Sequence, residues 1–439
     1  MNPELDAGHG HARPGTHVSP RAYLTHDLPA IGGRIKERPE DFLVDEIPLY
    51  HPVGQGEHLY MLVQKRSLST IDLLGILAQH FGVPKGAVGY AGLKDKHALT
   101  RQVVSVHIPG RTHADFPMLQ HDNVQVLWAE MHTNKLRPGH LSGNRFSIRI
   151  RGVRPTDVLT AQRVLSRLRS AGVPNRVGEQ RFGMLENNHL IGRALVLADF
   201  DMAARELLGP CAAYPELNQE ARRLFEDRRF KDAITRYPPG ARTEMSVLNS
   251  LSKGMTARAA FMRLDETVLR YYLSAFQSAV FNAVLDARIA EGALGTLRAG
   301  DVAVKHANGA AFLVDDPTAA DPATPQRLAD FEISPSGPLW GASMLRAAGP
   351  ADELELRELA ATGVSPDHLR QFDLQARGML EGKRRPLRVP LIDPEVEGGV
   401  DEHGPYVRCA FELPRGSFAT VVLREIMKPQ AEKTIDAIE

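Results

Sequence analysis

Residues 144–172 read NRFSIRIRGVRPTDVLTAQRVLSRLRSAG and join two periodicities. Up to residue 151 the pattern alternates: Phe146, Ile148 and Ile150 fall on one side of an extended chain, and Arg145, Ser147, Arg149 and Arg151 on the other. Beyond Pro155 the spacing lengthens to that of a capped amphipathic helix, closed by Gly172 and Pro174. A strand with one apolar face running into such a helix predicts a mixed α/β fold.

The same signals recur upstream. DFLVDEI and HLYMLVQ read as strands, and STIDLLGILAQHFG reads as a helix. In that helix Ser69 or Thr70 is the cap, Ile71, Leu74, Leu77, Ala78 and Phe81 form the stripe, and Gly82 is the stop. Further strands are expected on both sides of Asp95 and in VQVLWAE. From about residue 184 strand signals fade and Arg- and Ala-rich helical segments take over. One of them, residues 267–292, is apolar on nearly all sides and predicts a buried helix. Strand character returns in YVRCAFEL, before a short helix in SFATVVLREIM. Strand-rich ends around a helical middle predict a discontinuous domain carrying an insertion.

The 439 residues hold 53 Lys plus Arg and 53 Asp plus Glu, so indiscriminate polyanion binding by the whole surface is not expected, while local patches remain open. Two distant cysteines, Cys211 and Cys409, suggest neither a disulfide framework nor a metal knuckle, and point to a reducing, cytoplasmic setting. Residues 1–20 lack a continuous apolar core and read as an unstructured leader, in which His9, His11 and His17 have no rigid frame for a metal. No apolar run is long enough to span a bilayer.

Three features could carry chemistry. The first is AGLKDKHALTRQ, where Asp95 stands among Lys94, Lys96, His97 and Arg101 at a strand end. Nearby cations favour an ionised carboxylate, which serves as nucleophile or base; the plainer reading is a solvated turn. The second is a basic segment. Residues 131–156 contain six Lys or Arg and no Asp or Glu, and Arg145, Arg149 and Arg151 share a strand face. That composition suits a phosphate-tracking surface with Phe146 at its edge, or a solvated strand face. The third is a set of polar residues in apolar surroundings: Asn144, Gln180, Arg181, Gln277 and Asn282. For Gln277 and Asn282 a structural hydrogen bond is expected.

KERPEDFLVDE, AGLKDKHALTRQ, KLRPGHLSGNRF, GVPNRVGEQRFG, YLSAFQSAVFN, GPLWG and LPRGSFATVVLRE occur in this order. In these the chain resembles the TruD family of tRNA pseudouridine synthases. The resemblance implies a catalytic domain on a largely antiparallel sheet, residues 21–177 and 393–439, with a mostly helical inserted domain, residues 178–392, facing the same cleft. It implies isomerisation of a tRNA uridine, at position 13 in most of the family, with Asp95 as nucleophile. Phe42, Asn144 and Phe418 are implied as substrate contacts, with Phe146 and Lys36 behind them. The reaction has no net redox change, so no cofactor or metal is expected; tRNA is the partner, and a monomer without an obligate protein partner is expected. One departure is that Arg176 and Val177 stand where the family has aromatics. A catalytically silent RNA-binding module on the same scaffold is the alternative. A hydrolase using Asp95 would need a second carboxylate, with Glu40 or Glu179 as candidates.

Overall fold

The computed structural model describes residues 22–376 and 378–428. The leader, with its three histidines, lies outside the described residues. The chain separates into two compact units, one of residues 176–388 and the other of residues 23–175 with 389–428. The expected boundaries at 178 and 392 differ from these by a few residues.

The second unit is an eight-stranded sheet with three helices. Its elements are β1 (Phe42–Pro48), β2 (His58–Arg66), α1 (Thr70–Phe81), β3 (Val88–Tyr90), β4 (Leu99–His107), β5 (Val124–His132), β6 (Leu141–Arg151), α2 (Val158–Ala171), β7 (Ile392–Asp401), β8 (Gly404–Pro414) and α3 (Ala419–Met427). The strand order is β7-β8-β6-β1-β4-β2-β5, with β3 also paired to β4. The β1–β4 pair is parallel. The other pairs are antiparallel, so the sheet is largely antiparallel, as the family resemblance implied.

The alternation in β6 holds: Phe146, Ile148 and Ile150 are buried with Phe42 and Val44 of β1, Cys409 and Phe411 of β8, and the apolar stripes of α2 and α3. A second cluster packs α1 against Leu59, Met61 and Val63 of β2 and Val104 and Val106 of β4. Ser69 caps α1, accepting from the Asp72 N–H at 3.1 Å, and Gly82 ends it at φ 65°, in the left-handed region glycine tolerates. Leu73 is fully buried while Ile71 is exposed, because the stripe that faces the sheet runs through 73, 74, 77, 78 and 81. Strand β7 is polar and sits at the sheet edge, so it lacks the one-sided apolar pattern that would reveal it.

The first unit centres on helix Glu266–Ala290, buried along most of its length, around which the helical segments cluster. Gly192 meets it where an added Cβ would lie 2.1 Å from the Tyr272 carbonyl, so only glycine permits that approach. This unit also contains a four-stranded sheet: Val302–Lys305, Ala311–Leu313, Ile333–Leu339 and Lys383–Pro386. Ile333–Leu339 is fully buried although it holds Pro335, Gly337 and Pro338, residues that ordinarily argue against a strand. Gln277 and Asn282 are structural, as expected. Gln277 donates to the Trp340 and Glu381 carbonyls, and Asn282 pairs with both main-chain groups of Val177 at 3.0 Å. Arg176, the departure beside Val177, forms a buried ion pair with Asp286. Among the described residues no helix is long and apolar enough to cross a membrane.

Candidate active site

Strands β3 and β4 deliver residues 91–98 as a loop, and the loop is held from several sides. The Ala98 carbonyl accepts from the Ser67 N–H at 3.3 Å, and the Lys94 N–H donates to Thr70 Oγ1 at 2.9 Å. The Lys94 side chain turns inward, where its Nζ lies 2.5 Å from Glu46 Oε2 on β1. Glu46 Oε1 accepts from the Val103 N–H at 3.1 Å. Burial pushes the Glu46 carboxyl up and the facing Lys94 ammonium works against that shift. Gly92 leaves room for the pair, since a Cβ there would come within 3.1 Å of Lys94 Nζ. With Lys94 pulled in, Asp95 is turned the other way, and its carboxylate is about one-third exposed.

The knot of charge is therefore sorted by position. Lys94 is spent on Glu46, Lys96 and His97 are exposed, and Arg101 donates to Gln64 at 2.9 Å and lies 3.6 Å from Asp45. The cation that reaches the Asp95 carboxylate comes from outside the stretch. Lys36 Nζ donates to Asp95 Oδ2 at 3.0 Å and stands 4.6 Å above the centre of the Phe42 ring. Lys36 takes a φ of 60°, which a non-glycine residue adopts at a penalty and which aims its side chain at this spot. Lys36, Phe42 and Asp95, distant in sequence, are thus one constellation.

Asn144 lies on β6 directly opposite Glu46 and beside Leu413 of β8. Its Oδ1 is buried with no hydrogen-bond partner among the described residues. Phe42 and Phe146 belong to the apolar core at 2% and 7% exposure, with Phe146 packed 5.7 Å from Phe411 between ring centres. They form a floor and not an open stacking wall. Phe418 is different, at 41% exposure. Phe418 itself occupies the capping position of α3 with extended backbone, two residues after Gly416 at φ 77°. Its turn is tied toward the Asp95 loop. The Arg415 N–H donates to the Ser142 carbonyl, the Arg415 guanidinium to the Gly139 carbonyl, and the Gly139 N–H to the Ala91 carbonyl at 2.8 Å.

The basic face of β6 requires a correction. Arg151 is 2% exposed and makes bidentate pairs with Asp41 and Asp401, so it is not a phosphate ligand. Arg145 lies 3.2 Å from Glu395 and 3.4 Å from Glu412, and Arg149 lies 3.7 Å from Asp401 and 5.0 Å from the Tyr406 ring centre. A segment without acids in sequence acquires them in space, because cross-strand neighbours on β7 and β8 supply the countercharge. Arg145 and Arg149 retain part of their exposure.

Lys65 was missed at the sequence level. It is fully buried, and its Nζ donates to the carbonyls of Leu68 at 2.5 Å and Asp95 at 3.0 Å. Burial pulls its ammonium down to about 8, with the Asp95 carboxylate opposing that shift. The signal was present: Lys65 continues the inward set Leu59, Met61, Val63, where an apolar residue is the rule. Glu40, the hydrolase candidate, is engaged by Arg66 at 2.7 Å. Among the described residues no group of three or more His, Cys, Asp or Glu is placed to hold a metal.

A mixed sheet presenting one carboxylate from a cation-lined loop, with an exposed aromatic on a tied turn, is the kind of site an RNA-modifying isomerase uses. The family model described as tRNA pseudouridine synthase D (TruD) matches residues 19–426. The tRNA pseudouridine synthase D of Geobacter metallireducens is 44% identical over 93% of this chain and 98% of its own length. That of Syntrophotalea carbinolica is 43% identical over 92% and 98%. The crystal structure of the tRNA pseudouridine synthase D (TruD) candidate from Methanosarcina mazei superposes with a TM-score of 0.80 at 28% identity, covering 93% of this chain and 96% of that one. The chain belongs to the TruD family, and it is an isomerase of the pseudouridine synthase class.

Proposed function

We propose that this enzyme isomerises one uridine of folded tRNA, uridine 13, to pseudouridine, with Asp95 as the nucleophile. The observation that carries the reading is the Asp95 carboxylate, partly exposed and paired to Lys36 at 3.0 Å, while every other charged group of its loop is buried elsewhere, exposed or engaged. In the net reaction the C1′–N1 bond breaks, the uracil turns, and a C1′–C5 bond forms while the C5 proton is lost and N1 gains one. Attack on C1′, attack on C6, and removal of a ribose proton all need a carboxylate held against the sugar–base junction.

The uridine must leave its stack to reach that carboxylate. Phe418 supplies the wall, where base stacking contributes about 1–3 kcal/mol. Asn144, half-buried on β6, lends its side-chain amide to the uracil or a ribose hydroxyl. Phe42 supports Lys36 from below, and Arg145 and Arg149 contact the tRNA backbone. The enzyme works as a monomer, without cofactor or metal, in the cytoplasm, where Cys211 and Cys409 stay reduced, as their free state here suits. Pseudouridine mapping of a tRNA transcript, with and without the purified enzyme, tests the reading. A new signal at position 13, absent when that uridine is replaced by cytidine, is expected; modification elsewhere only, or none, would overturn it.

A further inference from the structure

Strand β2 carries Leu59, Met61 and Val63 into the apolar cluster under α1, and the next inward position is Lys65. It sits between Thr100 of β4 and Val124 of β5 in the sheet register. An ammonium placed there loses its hydration, a penalty of several kcal/mol that a neighbouring carboxylate would normally offset. Among the described residues Lys65 forms no ion pair; the Asp95 carboxylate offsets the penalty only in part and without a hydrogen bond, and the Lys65 Nζ hydrogen bonds go to two main-chain carbonyls. One belongs to Leu68, in the turn that starts α1. The other belongs to Asp95 itself.

The remaining ties of the loop stop short of Asp95. Those of Lys94 fix the residue before it, and the Ser67 tie fixes Ala98, three residues beyond. The contact to Lys36 restrains the carboxylate but not the chain that carries it. We propose that Lys65 is a positioning residue of the isomerisation: by holding the Asp95 carbonyl it fixes the main chain from which the nucleophile projects. The proposal rests on the reading of Asp95 as nucleophile. Without this tie the peptide after Asp95 is free to swing, and a misplacement of about 1 Å lowers a rate by on the order of 10²-fold.

The test is Lys65→Met, close in volume and apolar, measured for tRNA affinity, melting temperature and single-turnover rate at saturating enzyme. Replacing a buried charge by a packed apolar side chain is often neutral or stabilising, so the fold is expected to hold. The rate should fall about 10- to 100-fold with tRNA affinity within about twofold of the parent, the pattern of impaired transition-state geometry and retained binding. A merely structural lysine would leave the rate of the folded variant unchanged, and a rate within about twofold of the parent overturns the proposal. Should Lys65→Met fail to fold, Lys65→Gln, neutral and too short to hold both carbonyls, is read by the same criteria. Asp95→Asn run in parallel separates the two levels. If it is inert while the Lys65 variant runs at full speed, only the role of Lys65 fails; if it stays active, the reading of Asp95 fails and this proposal with it.

Discussion

Arg151 separates two accounts of the basic strand, and its replacement gives opposite results under each. In the structure its guanidinium meets Asp41 at 2.6 and 3.1 Å and Asp401 at 2.6 and 2.9 Å, and the Asp41 side chain is 1% exposed. Arg151→Met leaves Asp41 buried without its cation, a change that costs about 3–5 kcal/mol in comparable buried pairs. For a unit of this size each kcal/mol moves the melting temperature by roughly 2–4 °C, so a drop of about 6–20 °C is expected in a thermal scan. Arg151 also holds the Asp401 carboxyl well below the usual carboxylate range. A carboxylate with a depressed folded-state pKa stabilises the fold above its unfolded value near pH 4, and that contribution fades as pH falls toward the folded value. The parent should therefore lose stability between about pH 5 and 2 more steeply than the variant. The salt dependence of tRNA binding should not change. A melting shift below about 2 °C, with the log–log salt slope reduced by about one, would refute the buried-pair reasoning and make Arg151 a phosphate contact.

Three further outcomes are expected. Phe418→Ala should leave the melting temperature nearly unchanged and lower the rate, with Phe418→Tyr restoring most of it; Phe42→Ala should instead destabilise by about 3–5 kcal/mol, as removal of a core ring does. A Phe418→Ala protein that melts early but is normally active per folded molecule would remove Phe418 from the site. Arg145→Gln with Arg149→Gln should reduce the salt slope by about one for each phosphate no longer neutralised, and an unchanged slope would mean that the carboxylates of β7 and β8 claim both. Activity on tRNA pre-folded in monovalent salt should survive exhaustive chelation; activity that returned only with an added transition metal would contradict a cofactor-free reaction.

The strands and helices of the sheet unit could be read locally because their apolar periodicity is strong, as in Phe146, Ile148 and Ile150. What could not be read locally is what the sheet brings together. Arg151 looks like a surface arginine until Asp401, 250 residues away, is paired beside it. Lys94 and Asp95 are adjacent, and nothing in their order says that Glu46 draws one inward while Lys36 meets the other. Strand Ile333–Leu339 was hidden for another reason: Pro335, Gly337 and Pro338 carry the composition of a turn, and its burial comes from tertiary packing. Asn144 and Phe418, proposed as substrate contacts, were named as such through family resemblance, since an amide within a strand and an aromatic at a helix start have no local signature.

The most direct test of the account is the single-turnover rate of Asp95→Asn on a tRNA that the parent modifies, measured with its tRNA affinity. The substitution removes the charge and keeps the shape, so affinity should stay within a few-fold while pseudouridine formation falls by several orders of magnitude. Retention of more than a few per cent of the parental rate by a correctly folded Asp95→Asn enzyme would contradict Asp95 as the nucleophile.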